Sequence, residues 1–131
     1  MCIFCQIIEK TIPASIFYED EATLAFLDIK PVNPGHALVI PKKHVANLEE
    51  ISAADLATLI KVVKKVGKLL ETKLGVAGYN LVVNNGSVAG QEIAHLHFHL
   101  IPRQANDGFK FFPTQGYKTG EKEEILKKLL S

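Results

Sequence analysis

His95-Leu96-His97-Phe98-His99-Leu100-Ile101-Pro102 is the stretch that decides the architecture. Three histidines alternate with three large apolar residues, and a proline closes the run. A period of two is the mark of a β-strand, whose successive side chains point to opposite faces. The reading puts the three imidazoles on one face, spaced by roughly 6.6–7 Å along the strand. Leu96, Phe98 and Leu100 face the other way, toward a core. A core has no use for three histidines in register, because each buried ring nitrogen needs a partner of its own. The row points to chemistry.

Working back from that strand, Asn84-Asn85-Gly86-Ser87-Val88-Ala89-Gly90 is a glycine-bearing loop, and Tyr79 to Val83 reads as the strand before it. Ser52 opens the one long helix, with Asp55 three residues on as a capping-box partner. Leu56, Leu59, Ile60, Val63, Val66, Leu70 and Leu74 follow helical spacing, lysines fill the opposite face, and Gly75 ends the helix. His36 to Pro41 is a strand closed by its proline. Ile16–Glu19 and Ala22–Asp28 form a hairpin about Asp20-Glu21. Residues 3–9 read as a short helix with Ile3, Ile7 and Ile8 on one side, ended by Pro13. Beyond Pro102 comes an irregular aromatic segment with Phe109, Phe111, Phe112 and Tyr117. A last helix follows Gly120, acidic at its start and basic at its end, as a helix dipole favours. The order implies an antiparallel α+β domain, about five strands under one long helix with short terminal helices.

The chain has 131 residues, 47% of them apolar, and a net charge of +1. That suffices for one domain with a real core and argues against disorder. It offers no electrostatic footing for nucleic acid or an anionic membrane surface. No apolar run approaches the ~20 residues of a membrane span, and no secretory signal is read at the N-terminus. A soluble cytoplasmic protein is expected. Cys2 and Cys5 are too few for a disulfide scaffold; they could be a redox dithiol, half of a metal site, or buried thiols.

The histidine run resembles the His-φ-His-φ-His-φ-φ signature of the histidine-triad (HIT) family of nucleotide hydrolases and transferases. Asn84, Gly90-Gln91, Leu24-Ala25-Phe26-Leu27-Asp28, and Gly35-His36 through Pro41-Lys42-Lys43-His44 are similar to that family as well. The likeness is to bacterial and archaeal members of its Hint-like branch. It covers about Cys2 to Arg103, leaving residues 104–131 as a C-terminal extension of a single HIT domain.

The resemblance implies attack by His97 on the α-phosphorus of a purine nucleotide conjugate, through a nucleotidyl-histidine intermediate. An imidazole suits that role because it is substantially neutral near pH 7 and makes a labile adduct. His99 would touch the phosphate oxygens, His36 would support His97 or His99, and Gln91 and Asn84 would contact the phosphate or departing group. Asp28 would hold the ribose hydroxyls, and Ile3, Phe4, Phe26, Ile29 and Leu38 would form a slot for the base. The branch that cleaves nucleoside phosphoramidates often has serine after the equivalent of Gln91. This chain has Glu92, which leaves the leaving group open. The alternatives are cleavage of dinucleoside polyphosphates, a nucleotide-binding or scaffold role, and a zinc-thiol redox protein.

Family members with a similar Cys-x-x-Cys start and Pro-Lys-x-His bind structural zinc, which implies Zn²⁺ on Cys2, Cys5, His44 and His95. Two thiolates and two neutral imidazoles would make the site formally neutral. Unmetallated thiols at a frayed terminus are the other reading. A homodimer with joined sheets is implied in the same way.

Overall fold

The computed structural model describes residues 2–110 and 112–131. Three α-helices and five strands follow one another as α1 (Ile3–Ile8), β1 (Ile16–Glu19), β2 (Thr23–Leu27), β3 (Ala37–Pro41), α2 (Ala53–Leu74), β4 (Gly78–Val82), β5 (Phe98–Arg103) and α3 (Glu121–Leu130). A single 3₁₀ turn at Ser87–Ala89 lies between β4 and β5. The strands form one antiparallel sheet in the order β1-β2-β3-β5-β4. Among the described residues no helix is long and apolar enough to cross a membrane. Phe111, expected in the aromatic tail, lies outside the described residues.

Strand alternation divides the apolar residues between two faces. Ala25, Ala37, Val39, Leu96, Phe98 and Leu100 pack under α2 against Leu59, Val62, Val63, Val66 and Leu70. Leu24, Phe26, Leu38 and Ile40 pack on the other face against Phe4 and Ile7 of α1. Leu38 is paired across the ladder with His99, so the histidine face is the α1 face.

The fifth strand begins at Phe98, three residues later than the histidine run suggests. Beyond the Val39–Phe98 pair the neighbouring strand reaches Pro41, which has no N–H for a ladder bond. The Pro41 carbonyl goes instead to the His95 ring, at 2.8 Å, and the Leu96 N–H goes to the Val45 carbonyl, also at 2.8 Å. Residues 95–97 are unpaired as a strand, yet Leu96 still enters the α2 core beside Phe98 and Leu100.

The buried stripe of α2 is also turned from its expected position. Val62 and Gly67 are buried, whereas Ile60 and Leu74 are exposed. Gly67 explains the rotation, since Tyr79 of β4 packs where its side chain would be. Ser52 caps α2 by accepting the Asp55 N–H at 3.1 Å, but the Asp55 carboxylate lies toward Lys43, 3.7 Å away, rather than completing a capping box. Gly75 ends the helix at φ +64°, the left-handed conformation glycine adopts without strain. In α1 the buried residues are Phe4 and Ile7, while Ile3 is 46% exposed. Helix α3 has no buried residue.

Gly67→Ala tests the Tyr79 contact. Helix propensity alone predicts a gain of up to about 1 kcal/mol, but overpacking against a ring costs about 1–3 kcal/mol. A Cβ there would meet three Tyr79 atoms at under 3.0 Å, so a net loss in urea denaturation is expected. A variant more stable than the parent would show that Tyr79 swings aside.

Candidate active site

Helix α1 lies over the histidine face through Phe4. Its ring meets His97 edge-on at 5.1 Å, His95 at 5.8 Å and Phe26 at 5.5 Å between centroids. His97 and His99 are neighbours at 5.0 Å. Their tautomers follow from what each nitrogen touches.

His97 Nδ1 is 2.7 Å from the backbone carbonyl of His95. A carbonyl only accepts, so the proton of the neutral ring sits on Nδ1 and the lone pair on Nε2. His97 is 7% exposed, and among the described residues no buried side-chain nitrogen or oxygen lacks a partner. Nε2, which has no hydrogen-bond partner among the described residues, is therefore not sealed from solvent.

The second pair is ordered from the opposite end. The Val32 N–H donates to His36 Nδ1 at 3.0 Å, which puts the His36 proton on Nε2. That Nε2–H donates to His99 Nδ1 at 2.9 Å, which puts the His99 proton on its own Nε2. His99 thus offers one N–H donor beside the bare Nε2 of His97. Asp28 stands behind the relay: Oδ2 is 3.6 Å from His36 Nε2, and Oδ1 accepts the Lys30 N–H at 2.9 Å. Burial pushes His36 below the usual histidine range, with Asp28 opposing. Burial, then His97 and His36, bring His99 down to about 4. Both rings are neutral at pH 7, as the relay requires.

Asp28, His36 and His99 also gather their donor atoms within 4.8 Å of one another, as a cation site would. A cation on His36 Nε2 would drive the ring proton to Nδ1, where the Val32 N–H already points. The cluster is a hydrogen-bond relay.

Cys2, Cys5, His44 and His95 behave differently. His95 Nδ1 lies 3.6 Å from Cys2 Sγ, 3.7 Å from Cys5 Sγ and 3.2 Å from His44 Nδ1, and Cys5 Sγ lies 3.3 Å from His44 Nδ1. Tetrahedral Zn–S and Zn–N bonds of about 2.3 and 2.0–2.1 Å imply S···N near ~3.6 Å and N···N near ~3.3 Å. The four donors fit a divalent cation. Because His95 Nε2–H donates to the Pro41 carbonyl, its Nδ1 is unprotonated and free to ligate, with the carbonyl supporting the ring from behind. Burial, with Cys2 beside it, pushes the Cys5 thiol up. A bound cation would favour the thiolates.

The remaining expected site residues are placed less simply. Gln91 accepts the Gly86 N–H at 2.9 Å and donates to the carbonyls of Ala46 and Ile93 at 2.6 and 3.0 Å. Both amide hydrogens are committed to main chain here, and Gln91 braces the 84–91 loop. Asn84 reaches the Gly90 carbonyl across that loop at 3.5 Å, and Glu92 is exposed. Of the expected base slot, Phe4, Phe26 and Leu38 are buried as core, because the face they share with α1 is closed by apolar packing. Ile3 and Ile29 are the members left with open surface. A cavity of about 740 Å³ lies elsewhere, beneath the C-terminal half of α2, and none of the histidines lines it. Sequence reasoning missed Val32 and the carbonyls of Pro41 and His95. Pro41, a proline inside an apolar strand, was the one visible hint.

Two polar centres share one sheet face: a set of tautomer-ordered imidazoles and a Cys₂His₂ cluster whose donors could hold a cation. Residues 9–106 match the HIT domain family, and the chain belongs to that family. It is 52% identical to an uncharacterized HIT-like protein of Methanocaldococcus jannaschii, over 98% of each chain. It is 46% identical to an adenosine 5'-monophosphoramidase of Schizosaccharomyces pombe, over 78% of this chain and 74% of that one. A HIT family crystal structure from Bacillus subtilis superposes at a TM-score of 0.88, with 38% identity over 98% of this chain and 94% of that one. A zinc-bound histidine triad family protein from Mycobacterium smegmatis superposes at 0.79, with 33% identity and the same two coverages.

The depressed His99 gives a pH signature. Between about pH 6.5, where an unfolded histidine titrates, and about 4, the unfolded chain binds a proton at this ring and the folded chain does not. Stability therefore falls as pH falls through that window. His99→Asn should show a shallower loss of Tm from pH 7 to 5 than the parent at equal metal load. Parallel slopes would mean that His99 is not held neutral by the fold.

Proposed function

We propose that the chain is a nucleotide hydrolase or transferase that acts at the α-phosphorus of purine nucleotide conjugates, with adenosine phosphoramidates as first substrates. The observation that carries this reading is the bare, solvent-reaching Nε2 of His97, whose proton is held on the far nitrogen by the His95 carbonyl. Adenosine 5'-monophosphoramidase activity, named for the Schizosaccharomyces pombe relative, supports the choice of substrate.

In the first step Nε2 of His97 forms a bond to phosphorus as the bond to the leaving amine breaks, and the amine departs with a proton taken from solvent. In the second step water adds to phosphorus and gives up a proton to solvent, the P–N bond to His97 breaks with its electron pair returning to Nε2, and the monophosphate leaves. Two easier displacements replace one hard one. His99 Nε2–H stabilises the phosphoryl oxygens where charge develops, and His36 keeps that proton in place. Asp28 sits at the ribose, and Ile3 and Ile29 offer the apolar surface for the base. The 84–91 loop, braced by Gln91 and carrying Asn84, lies on the leaving-group side with Glu92 just after it. Zn²⁺ on Cys2, Cys5, His44 and His95 supplies a formally neutral structural anchor. A zinc-bound relative supports that assignment. The open edge of β4 and the exposed Leu126, Leu129 and Leu130 of α3 favour a homodimer.

Rapid quenching of the protein with a labelled adenosine phosphoramidate should trap the label on His97. His97→Ala should fold, bind AMP, and lose turnover by ~10³-fold or more, as loss of a covalent nucleophile does. Retention of a tenth of the parent activity would remove His97 from this role. A larger kcat/KM for a dinucleoside polyphosphate than for any phosphoramidate would move the chain to the other substrate class.

A further inference from the structure

His95 belongs to both polar centres. Its Nδ1 faces the sulfurs of Cys2 and Cys5 and the Nδ1 of His44, its Nε2–H is fixed to the Pro41 carbonyl, and its own backbone carbonyl receives the Nδ1–H of His97. The second link is Phe4. It lies within α1, between the two cysteine ligands in sequence, and its ring contacts both His95 and His97 edge-on. Helix α1 has six residues, and Cys2 at its N-cap makes no side-chain capping bond. A helix that short has little stability of its own. Its seat depends on burial of Phe4 and Ile7 and on whatever holds Cys2 and Cys5.

We propose that the Cys2–Cys5–His44–His95 centre is a positioning device for His97: a bound divalent cation, by fixing the His95 ring and the seat of Phe4, holds the carbonyl and the aromatic edge that together keep His97 in its Nδ1–H tautomer with Nε2 outward. This goes beyond an anchor for the N-terminal segment and rests on the reading of His97 as nucleophile. Without the cation, the His44 Nδ1–H and the thiols of Cys2 and Cys5 are left to compete for the single lone pair of His95 Nδ1, at 3.2, 3.6 and 3.7 Å, and only one of them can donate to it at a time. Exchange among these donors lets the His95 ring turn or shift, and the carbonyl moves with it. His97 then loses the acceptor that selects its tautomer, and Phe4 loses the ligand-bearing residues on either side. The remaining ring contacts, His99 at 5.0 Å and Phe4 at 5.1 Å, give His97 no hydrogen bond to replace it.

The test uses the full-length protein in three forms: zinc-loaded, metal-stripped by chelator, and zinc-loaded Phe4→Leu. At a fixed pH of 7.5, long-range ¹H–¹⁵N correlation spectra report the His97 tautomer, and steady-state kinetics on an adenosine phosphoramidate report kcat and KM separately. The zinc-loaded parent should show the Nδ1–H form alone. The stripped protein, shown by circular dichroism to remain folded, should show a mixture of tautomers. Its kcat should fall on the order of tenfold or more with little change in KM, as misplacement of a reacting group does. Phe4→Leu should lower kcat in the same way while its zinc affinity, measured by chelator competition, stays within about twofold of the parent.

A stripped, folded protein that keeps a pure Nδ1–H tautomer and full kcat overturns the proposal. Should the stripped protein unfold, Phe4→Leu decides alone, and an unchanged tautomer and kcat in that variant overturn it. Absence of turnover in the zinc-loaded parent would instead strike the functional reading, and the tautomer spectra would still report on the coupling.

Discussion

The structure turns on the orientation of one imidazole, that of His95. It is fully buried, and a buried ring must satisfy both nitrogens within the protein. One nitrogen donates to the Pro41 carbonyl and the other faces a cluster of two sulfurs and a second imidazole. With the ring fixed from both sides, its main chain has little freedom, and the next histidine of the row is set by the carbonyl that main chain presents. The same proline that ends the ladder supplies the acceptor, so the irregularity at residues 95–97 and the chemistry share a single cause.

The two faces of the sheet divide apolar packing from ordered polar rings. Beneath α2 lies a conventional apolar core, built from alternate residues of β2, β3 and β5 with the inner stripe of the long helix. The α1 face is smaller and carries the histidines among Phe4, Phe26, Leu38 and Ile40. Burying polar rings there is tolerable because every one is paired or reaches solvent. Low-dielectric surroundings also keep His36 and His99 neutral, which preserves the directionality of their hydrogen bonds. Neutrality and tautomer order are two expressions of one burial.

Much of the fold was legible in residue pattern. Alternation at 95–102, the helical stripe after Ser52 and the apolar strands at 23–27 and 37–41 each placed an element within a few residues of its position. The five histidines and two cysteines could be singled out by type, and the structure gathers them into two groups. What escaped was carried by groups with no side-chain signature. The Val32 N–H and the carbonyls of His95 and Pro41 decide the protonation of three rings, yet every residue has such groups. Helix rotation escaped for a related reason: Gly67 is buried by what it lacks, and a hydrophobicity pattern scores it as a gap. The bracing by Gln91 escaped in the same way, because its amide is bonded to the main chain around it.

That amide has an evolutionary reading. Three hydrogen bonds from one side chain shape the 84–91 segment, and they are made to main chain, so they survive almost any change in the surrounding side chains. The histidines, by contrast, stand on the sheet and are ordered from β3 and the loop before it. Descendants of such a chain can therefore rewrite exposed positions such as Val88 or Glu92 while the ordering of the imidazoles stays untouched.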